Sequence, residues 1–311
     1  MAFTAKDVKE LREATGVGMM DCKKALTEAD GDMEKAITIL RERGLAAAQK
    51  KAGRVTAEGV AFAGVFDDIG VVIEVNSETD FVAKNDLFNE FVTGVAQSVA
   101  SSAPSDVEAL MAVKFPNSDK TVSEHLQELI LVIGENLSVR RFERYDDGIS
   151  IPYIHAGGKI GVIINLEVEG ISNMDAITEL GKDLAMQAAA MRPMYLDSSS
   201  IDEEEIKKEE QIQLNKAIEE NKAKNLPDDK AVKIAENMVK GRMNKFFEDV
   251  CLLNQPYVKE NKLTVEKHVE QVAKNLGGKI KVKAFTRFEK GEGIEKKQDD
   301  FAAEVASMVN N

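Results

Sequence analysis

Ile69-Gly70-Val71-Val72-Ile73 reads as a buried strand, and Ile160-Gly161-Val162-Ile163-Ile164 repeats it almost residue for residue. Working outward, each copy is the second strand of a hairpin. Gly59 to Phe66 is an apolar run that leads through Asp67-Asp68 into the first copy, and Tyr153-Ile154-His155 leads through Gly157-Gly158 into the second. A helix follows each copy. The first carries Leu87, Phe88, Phe91, Val95 and Val99 at helical spacing and stops before Pro104; the second runs from Met174 to Met191 and stops before Pro193. A third strand closes each set: Val139-Arg140-Arg141-Phe142-Glu143-Arg144-Tyr145 is echoed by Val282-Lys283-Ala284-Phe285-Thr286-Arg287-Phe288. One matching strand could arise by chance. Three elements in the same order point to a duplication giving two packed α+β halves.

The first fifty residues follow another plan. Thr4 can cap a helix carrying Val8 and Leu11, which Thr15-Gly16-Val17-Gly18 breaks. Cys22, Ala25, Leu26 and Ala29 form the stripe of a second helix, and Met33, Ala36, Ile37 and Leu40 that of a third capped by Asp32. Gly44 suits the position just past the end of that third helix. This predicts a small three-helix unit. Up to Arg54 it holds eleven basic and nine acidic residues, a net of +2, so the other residues carry −15 of the chain's −13 total. Gln49 to Arg54 reads as a basic connector.

The second half is interrupted between Ile201 and Lys245 by a charged helical stretch, divided at Leu226-Pro227-Asp228-Asp229. An antiparallel hairpin is expected there. Its narrow stripe, Ile206, Ile212, Leu214 and Ile218 against Val232, Ile234, Met238 and Val239, would either seal the hairpin or face a partner, a second copy included; a solvated spacer is the plain alternative. Gly291-Glu292-Gly293 reads as a flexible joint before a last helix with Phe301, Ala302, Val305, Ala306 and Met308. The expected segments are 1–54, 55–147, 148–200 with 244–290, the hairpin 201–243, and 291–311.

Composition narrows the function. A length of 311 residues allows about two domains with a sizeable core. The net charge of −13 argues against nucleic acid as a partner, and aromatics at 5% without Trp argue against base-stacking platforms. Two cysteines cannot make a disulfide framework. No apolar run approaches the ~20 residues of a membrane span, and the N-terminus lacks an apolar signal core, so no membrane association and a cytoplasmic location are expected. No phosphate-binding glycine motif occurs, which predicts no nucleotide cofactor. His125, His155 and His268 lack metal-site spacing. Cys22 lies on an apolar stripe, as a structural thiol would.

One stretch stands apart: Asn76-Ser77-Glu78-Thr79-Asp80-Phe81-Val82-Ala83-Lys84-Asn85, directly after a strand. On composition alone the first reading is a helix cap by Thr79 or Asp80 with Phe81 packed beneath it. The second is a wedge. Phe81 lies in a polar run at a strand-to-helix corner, a surface feature, and a Phe displayed there would suit insertion into another protein.

Leu11 to Leu26, with Thr15-Gly16-Val17-Gly18-Met19-Met20-Asp21-Cys22, resembles the N-terminal motif of the bacterial elongation factor Ts family. Glu74 to Lys84 resembles its second motif, and Phe285 to Lys296 with Asp300 to Val305 its C-terminal stretch. The resemblance spans the chain in order. It implies an α+β fold: a ubiquitin-associated-like three-helix domain, a core of two related subdomains, an inserted antiparallel helical hairpin and a C-terminal helix. It implies a guanine-nucleotide exchange factor for elongation factor Tu, a binding protein rather than an enzyme. By the same resemblance, Asp80 and Phe81, with Thr79 and Val82 beside them, would enter between two helices of the partner's GTPase domain. Arg12, Met19 and Met20 would touch another helix of it, Ile133 would support the wedge, and His155 would face a second partner domain. From the residues alone, Met19 and Met20 could also belong to the small unit's core. The alternatives to exchange are an adaptor that tethers a GTPase without loosening its nucleotide, and an enzyme built on Cys22 or a carboxylate. Relative to shorter family members, Lys114–Ser123 and Asn261–Leu276 look extended.

Overall fold

The computed structural model describes residues 3–223 and 227–295. Two compact units result. One holds the chain up to Arg144 with Ile154–Gly161 and the segment from Phe288; the other holds Tyr145–Tyr153 and Val162–Arg287.

Three helices open the chain: α1 (Ala5–Thr15), α2 (Met19–Glu28) and α3 (Met33–Lys51). Thr4 starts α1 by donating its N–H and its hydroxyl to Asp7 Oδ2, at 2.6 and 2.9 Å. Gly16, at φ 67°, ends it. Val8, Leu11, Cys22, Ala25, Leu26, Ala36 and Leu40 form one buried cluster. The helix expected to stop at Gly44 instead runs on to Lys51. Gly44 lies inside it because α3 packs on the later helix Val122–Ile133, where a Cβ would come within 3.3 Å of the Gln127 carbonyl oxygen. The glycine permits close approach of two helices rather than a left-handed turn.

The first half continues with β1 (Glu58–Phe66), β2 (Ile69–Ser77), α4 (Asp86–Ser102), α5 (Val107–Met111), α6 (Val122–Ile133) and β3 (Leu137–Tyr145). Asp67 and Asp68, at φ 47° and 68°, form the two-residue turn that the twist of antiparallel strands favours. The sheet order is β1-β2-β3. Val71, Ile73 and Val75 of β2 are buried with Phe88, Val95 and Val99 of α4 in one core.

The second half repeats the order: β4 (Ile149–His155), β5 (Ile160–Glu169), α7 (Met174–Met191), then α8 (Glu203–Ala223) and α9 (Asp228–Val250), the short β6 (Pro256–Tyr257) and β7 (Glu260–Thr264), α10 (Val265–Leu276) and β8 (Lys279–Glu289). Its sheet order, β4-β5-β8, matches the first. Asn85 and Asn173 cap α4 and α7, accepting N–H bonds from Phe88 and Ala176. Both helices end on a non-glycine in the left-handed region just before proline, Ala103 at φ 46° and Arg192 at φ 51°. The match extends to a pair of helices that sequence reading did not align. Thr121-Val122-Ser123-Glu124-His125 begins α6 and Thr264-Val265-Glu266-Lys267-His268 begins α10. Each Thr caps its helix, and each His stacks on an aromatic ring, Phe115 at 4.1 Å and Tyr257 at 3.9 Å. The 261–276 stretch therefore contains the counterpart of α6.

The hairpin α8–α9 forms as expected, but its seal is different. Ala217, Ala231, Ala235 and Met243 are buried, while Ile212, Val232 and Ile234 are more than one third exposed. Small residues let the helices approach closely, and the buried Asn221 amide donates to the Ala231 carbonyl at 3.0 Å. Gly291-Glu292-Gly293, read as a flexible joint, is a fixed turn. Gly291 and Gly293 take φ 70° and 74°, and a Cβ on Gly291 would fall 2.1 Å from the Ala57 carbonyl oxygen. Gly291 N–H donates to Glu74 at 2.7 Å, and Arg140 donates to the Glu292 carbonyl at 2.6 Å. Of the segment 291–311 expected to hold the last helix, residues 291–295 are described and are not helical, and the Phe301 to Met308 stripe lies outside the described residues.

Candidate partner-docking site

Strand β2 ends at Ser77, and eight residues, 78–85, pass before α4 begins. A 3-10 turn, Val82–Lys84, fills part of that gap. The cap is Asn85, so neither Thr79 nor Asp80 starts the helix. Phe81 is 79% exposed and packs beneath nothing. This overturns the cap-and-staple reading: the cap sits further along, which leaves the Thr79–Phe81 segment outside the helix. Val82, the next residue, is buried in the core under β2 and α4. One apolar neighbour is thus turned in and the other out. Asp80 is exposed as well, 3.9 Å from Lys84 one turn on.

The segment is held from the other side of the unit. Thr79 donates its N–H and its hydroxyl to the Glu135 carboxylate, at 3.0 and 2.7 Å. Glu78 accepts the Asn136 N–H at 2.5 Å and pairs with Arg54 at 3.3 Å. Gly134, at φ 84°, ends α6 and turns the chain so that Glu135 and Asn136 follow directly. Ile133, just before, is half-buried against the core. Glu78, Glu135, Asn136 and Arg54 were not singled out from the sequence. A polar pair after a helix-ending glycine, at the entrance to a buried strand, is the signal that could have found them.

Below the loop lies a buried charge. Glu74 is fully buried, with Arg140 at 2.9 Å and Arg141 at 2.6 Å. Burial alone would push its carboxyl up. Hydrogen bonds from Asn76, the Gly291 N–H and Arg140, with the charge of Arg141, outweigh that and hold it below the ordinary carboxylate value.

Of the other sequence-derived residues, Arg12 is exposed on α1, and Met19 and Met20 are 51% and 65% exposed at the start of α2. The methionines are therefore outside the small unit's core. Thr15 and Gly16, beside them in the chain, line one groove of about 330 Å³ with Leu87, Phe91 and Val132. That groove joins the α1–α2 corner to the start of α4, just past the Phe81 loop. His155 is exposed at the end of β4.

Cys22 is buried, its thiol raised by burial and donating to the Val17 carbonyl, and burial pushes the Cys251 thiol up to about 11. Neither is a poised thiolate. Among the described residues, no group of three or more His, Cys, Asp or Glu is placed to hold a metal ion, and no helix is long and apolar enough to cross a membrane.

The described residues thus form a duplicated α+β body that displays an aromatic on a fastened loop, with a small helical unit that exposes two methionines. The sequence pattern of the elongation factor Ts family matches residues 78–292. The chain is 50% identical to elongation factor Ts of Clostridium perfringens (strain SM101 / Type A) over 310 residues, 98% of this chain and 99% of that one. It is 48% identical to elongation factor Ts of Syntrophotalea carbinolica over 311 residues, 99% and 100% of the two chains. It is 47% identical to that of Magnetococcus marinus over 311 residues, 99% of each. The chain belongs to the elongation factor Ts family, translation elongation factors that act in protein biosynthesis.

Proposed function

We propose that this chain binds elongation factor Tu carrying GDP in the cytoplasm and promotes release of the GDP, so that GTP can rebind. It does this by binding, without making or breaking a covalent bond. The observation that carries the reading is the display of Phe81, 79% exposed on a loop fastened by Glu135 and Glu78. Single exposed apolar residues are common; what sets Phe81 apart is that the loop presenting it is fastened to Glu135 and Asn136.

Exchange is coupled binding. Factor and nucleotide each bind the GTPase but favour different arrangements of its phosphate and magnesium site. The coupling is reciprocal, so the factor loosens GDP and incoming GTP loosens the factor. Shifting an equilibrium by ~10⁴ takes roughly 5.5 kcal/mol. Burying one Phe supplies about 1.5–3 kcal/mol. Phe81 therefore acts with a wider surface. Asp80, Thr79 and Val82 form its loop, Ile133 supports it, and Arg12, Met19 and Met20 touch the GTPase domain. His155 meets a second partner domain. The hairpin is closed by its own alanines, so no second copy is needed to bury them.

Release of fluorescent GDP from elongation factor Tu, followed with and without this chain, tests the reading. Acceleration at catalytic amounts of the chain is expected. Stable binding without faster release would make it an adaptor instead. By itself the chain should bind neither GDP nor GTP, and micromolar binding in calorimetry without the partner would contradict that.

A further inference from the structure

The loop that displays Phe81 and the α6–β3 junction exchange hydrogen bonds in both directions. Glu135 accepts twice from Thr79, at its N–H and its hydroxyl, while Glu78 accepts the backbone N–H of Asn136. The Asn136 amide in turn donates to the Arg54 carbonyl at 3.0 Å. Within the loop, the Ser77 hydroxyl donates to the Thr79 carbonyl at 2.8 Å. Two consecutive residues of one segment are thus fastened to two consecutive residues of another.

These bonds are not needed to start α4, which Asn85 caps. Nor do they bury apolar surface, which Val82 does one residue beyond Phe81. The second half goes from β5 to α7 in only four residues, 170–173, and caps its helix in the same way with Asn173. What lies between the Glu135 bonds and Val82 is Asp80 and Phe81, both exposed.

We propose that Glu135 is a positioning residue for nucleotide exchange: its carboxylate holds Thr79 so that Phe81 is presented in one orientation before the partner arrives. This rests on the exchange reading above. An unfastened loop has to be ordered at the moment of insertion, and that ordering subtracts from the free energy available to displace nucleotide. The doubly bonded carboxylate removes that loss in advance. Glu135 touches no reacting group and acts only through the Phe it orients.

The test is a double-mutant cycle on the full chain, read as the rate of GDP release from elongation factor Tu. Glu135→Ala should lower the rate about five- to tenfold, the upper part of the range for the net effect of one hydrogen bond. In a Phe81→Ala background the same change should alter it by less than about twofold, because there is no longer a ring to orient. Thr79→Val removes one of the bonds from the opposite side and should slow release about threefold, which covers the case of a poorly folded Glu135 variant. Thr79→Ser, which keeps the hydroxyl, should match the parent. Amide hydrogen exchange at Thr79 should speed up in Glu135→Ala while the α4 core amides stay protected. A parent-like rate for Glu135→Ala, or full additivity with Phe81→Ala, would overturn the proposal. If the unaltered chain fails to speed GDP release, the exchange reading is what fails. Unaltered Thr79 exchange in an otherwise active system defeats the clamp alone.

Discussion

The two halves of the body share a plan, and one of their differences is the corner between strand and helix. Between β2 and α4 the chain takes eight residues and turns Phe81 out to 79% exposure. Between β5 and α7 it takes four, and the apolar residue there, Ile171, packs where a Cβ on Gly278 would have to go, with its Cγ1 2.5 Å away. Both helices carry the same Asn cap. The fold thus joins strand to helix with or without an exposed aromatic, so the display is an addition to the fold and not a consequence of it. A second difference lies on the matched strands. Glu74 and Asn165 hold equivalent, buried positions, but one is a carboxylate ringed by two guanidinium groups and the other an amide donating to the Asp147 carbonyl at 2.6 Å.

The strand difference should give the largest effect on stability. Glu74→Ala takes away the buried acceptor of Arg140 Nη1, Arg141 Nε and the Gly291 N–H and should cost about 3 kcal/mol in denaturant unfolding. Asn165→Ala should cost about 1–2 kcal/mol. Equal costs would mean that the halves are fastened alike. Acid should expose the same asymmetry. The folded Glu74 carboxyl lies below its ordinary 4.5, so its contribution is fully present above that pH and is lost as pH falls through the folded value. In Glu74→Gln the acid side of the stability profile should be shallower, and an unchanged slope would contradict the assignment.

Next come two helix glycines, Gly94 in α4 and Gly181 in α7, out of register with each other when the helices are matched at their Asn caps. A Cβ on Gly94 would lie 2.2 Å from the Phe115 ring, and one on Gly181 2.7 Å from Ile151. Each Gly→Ala change should destabilise by about 1–3 kcal/mol, and a neutral result at either site would show that its neighbour can move aside. The smallest effect is at the caps. Asn85→Ala and Asn173→Ala should each cost about 1 kcal/mol by thermal unfolding. If only Asn85 mattered, the longer corner would be part of the helix start.

Much of this was legible in the sequence because it rests on local chemistry. Apolar runs with Asp67-Asp68 and Gly157-Gly158 turns marked the hairpins, and the prolines at 104 and 193 marked the ends of paired helices. What escaped depends on contacts far apart in the chain. Gly44 looks like a helix terminus until α6 is seen against it. Gly291 looks flexible until Ala57 and Glu74 are placed beside it. The hairpin's alanines carried less weight than its isoleucines, although in a close helix pair the small residues are the ones that meet. At the corner, composition could not tell a buried staple from a displayed ring, because the deciding residues, Asn85 and Glu135, act through geometry.

The most direct test is Phe81→Ala, with thermal midpoint and GDP-release rate measured on one preparation. A ring that packs on nothing should leave the midpoint within about 0.5 kcal/mol of stability, while release from elongation factor Tu slows by one to two orders of magnitude, from about 1.5–3 kcal/mol of lost burial in the partner. A large fall in midpoint with normal release by the remaining folded fraction would show Phe81 to be a structural residue and would contradict the wedge.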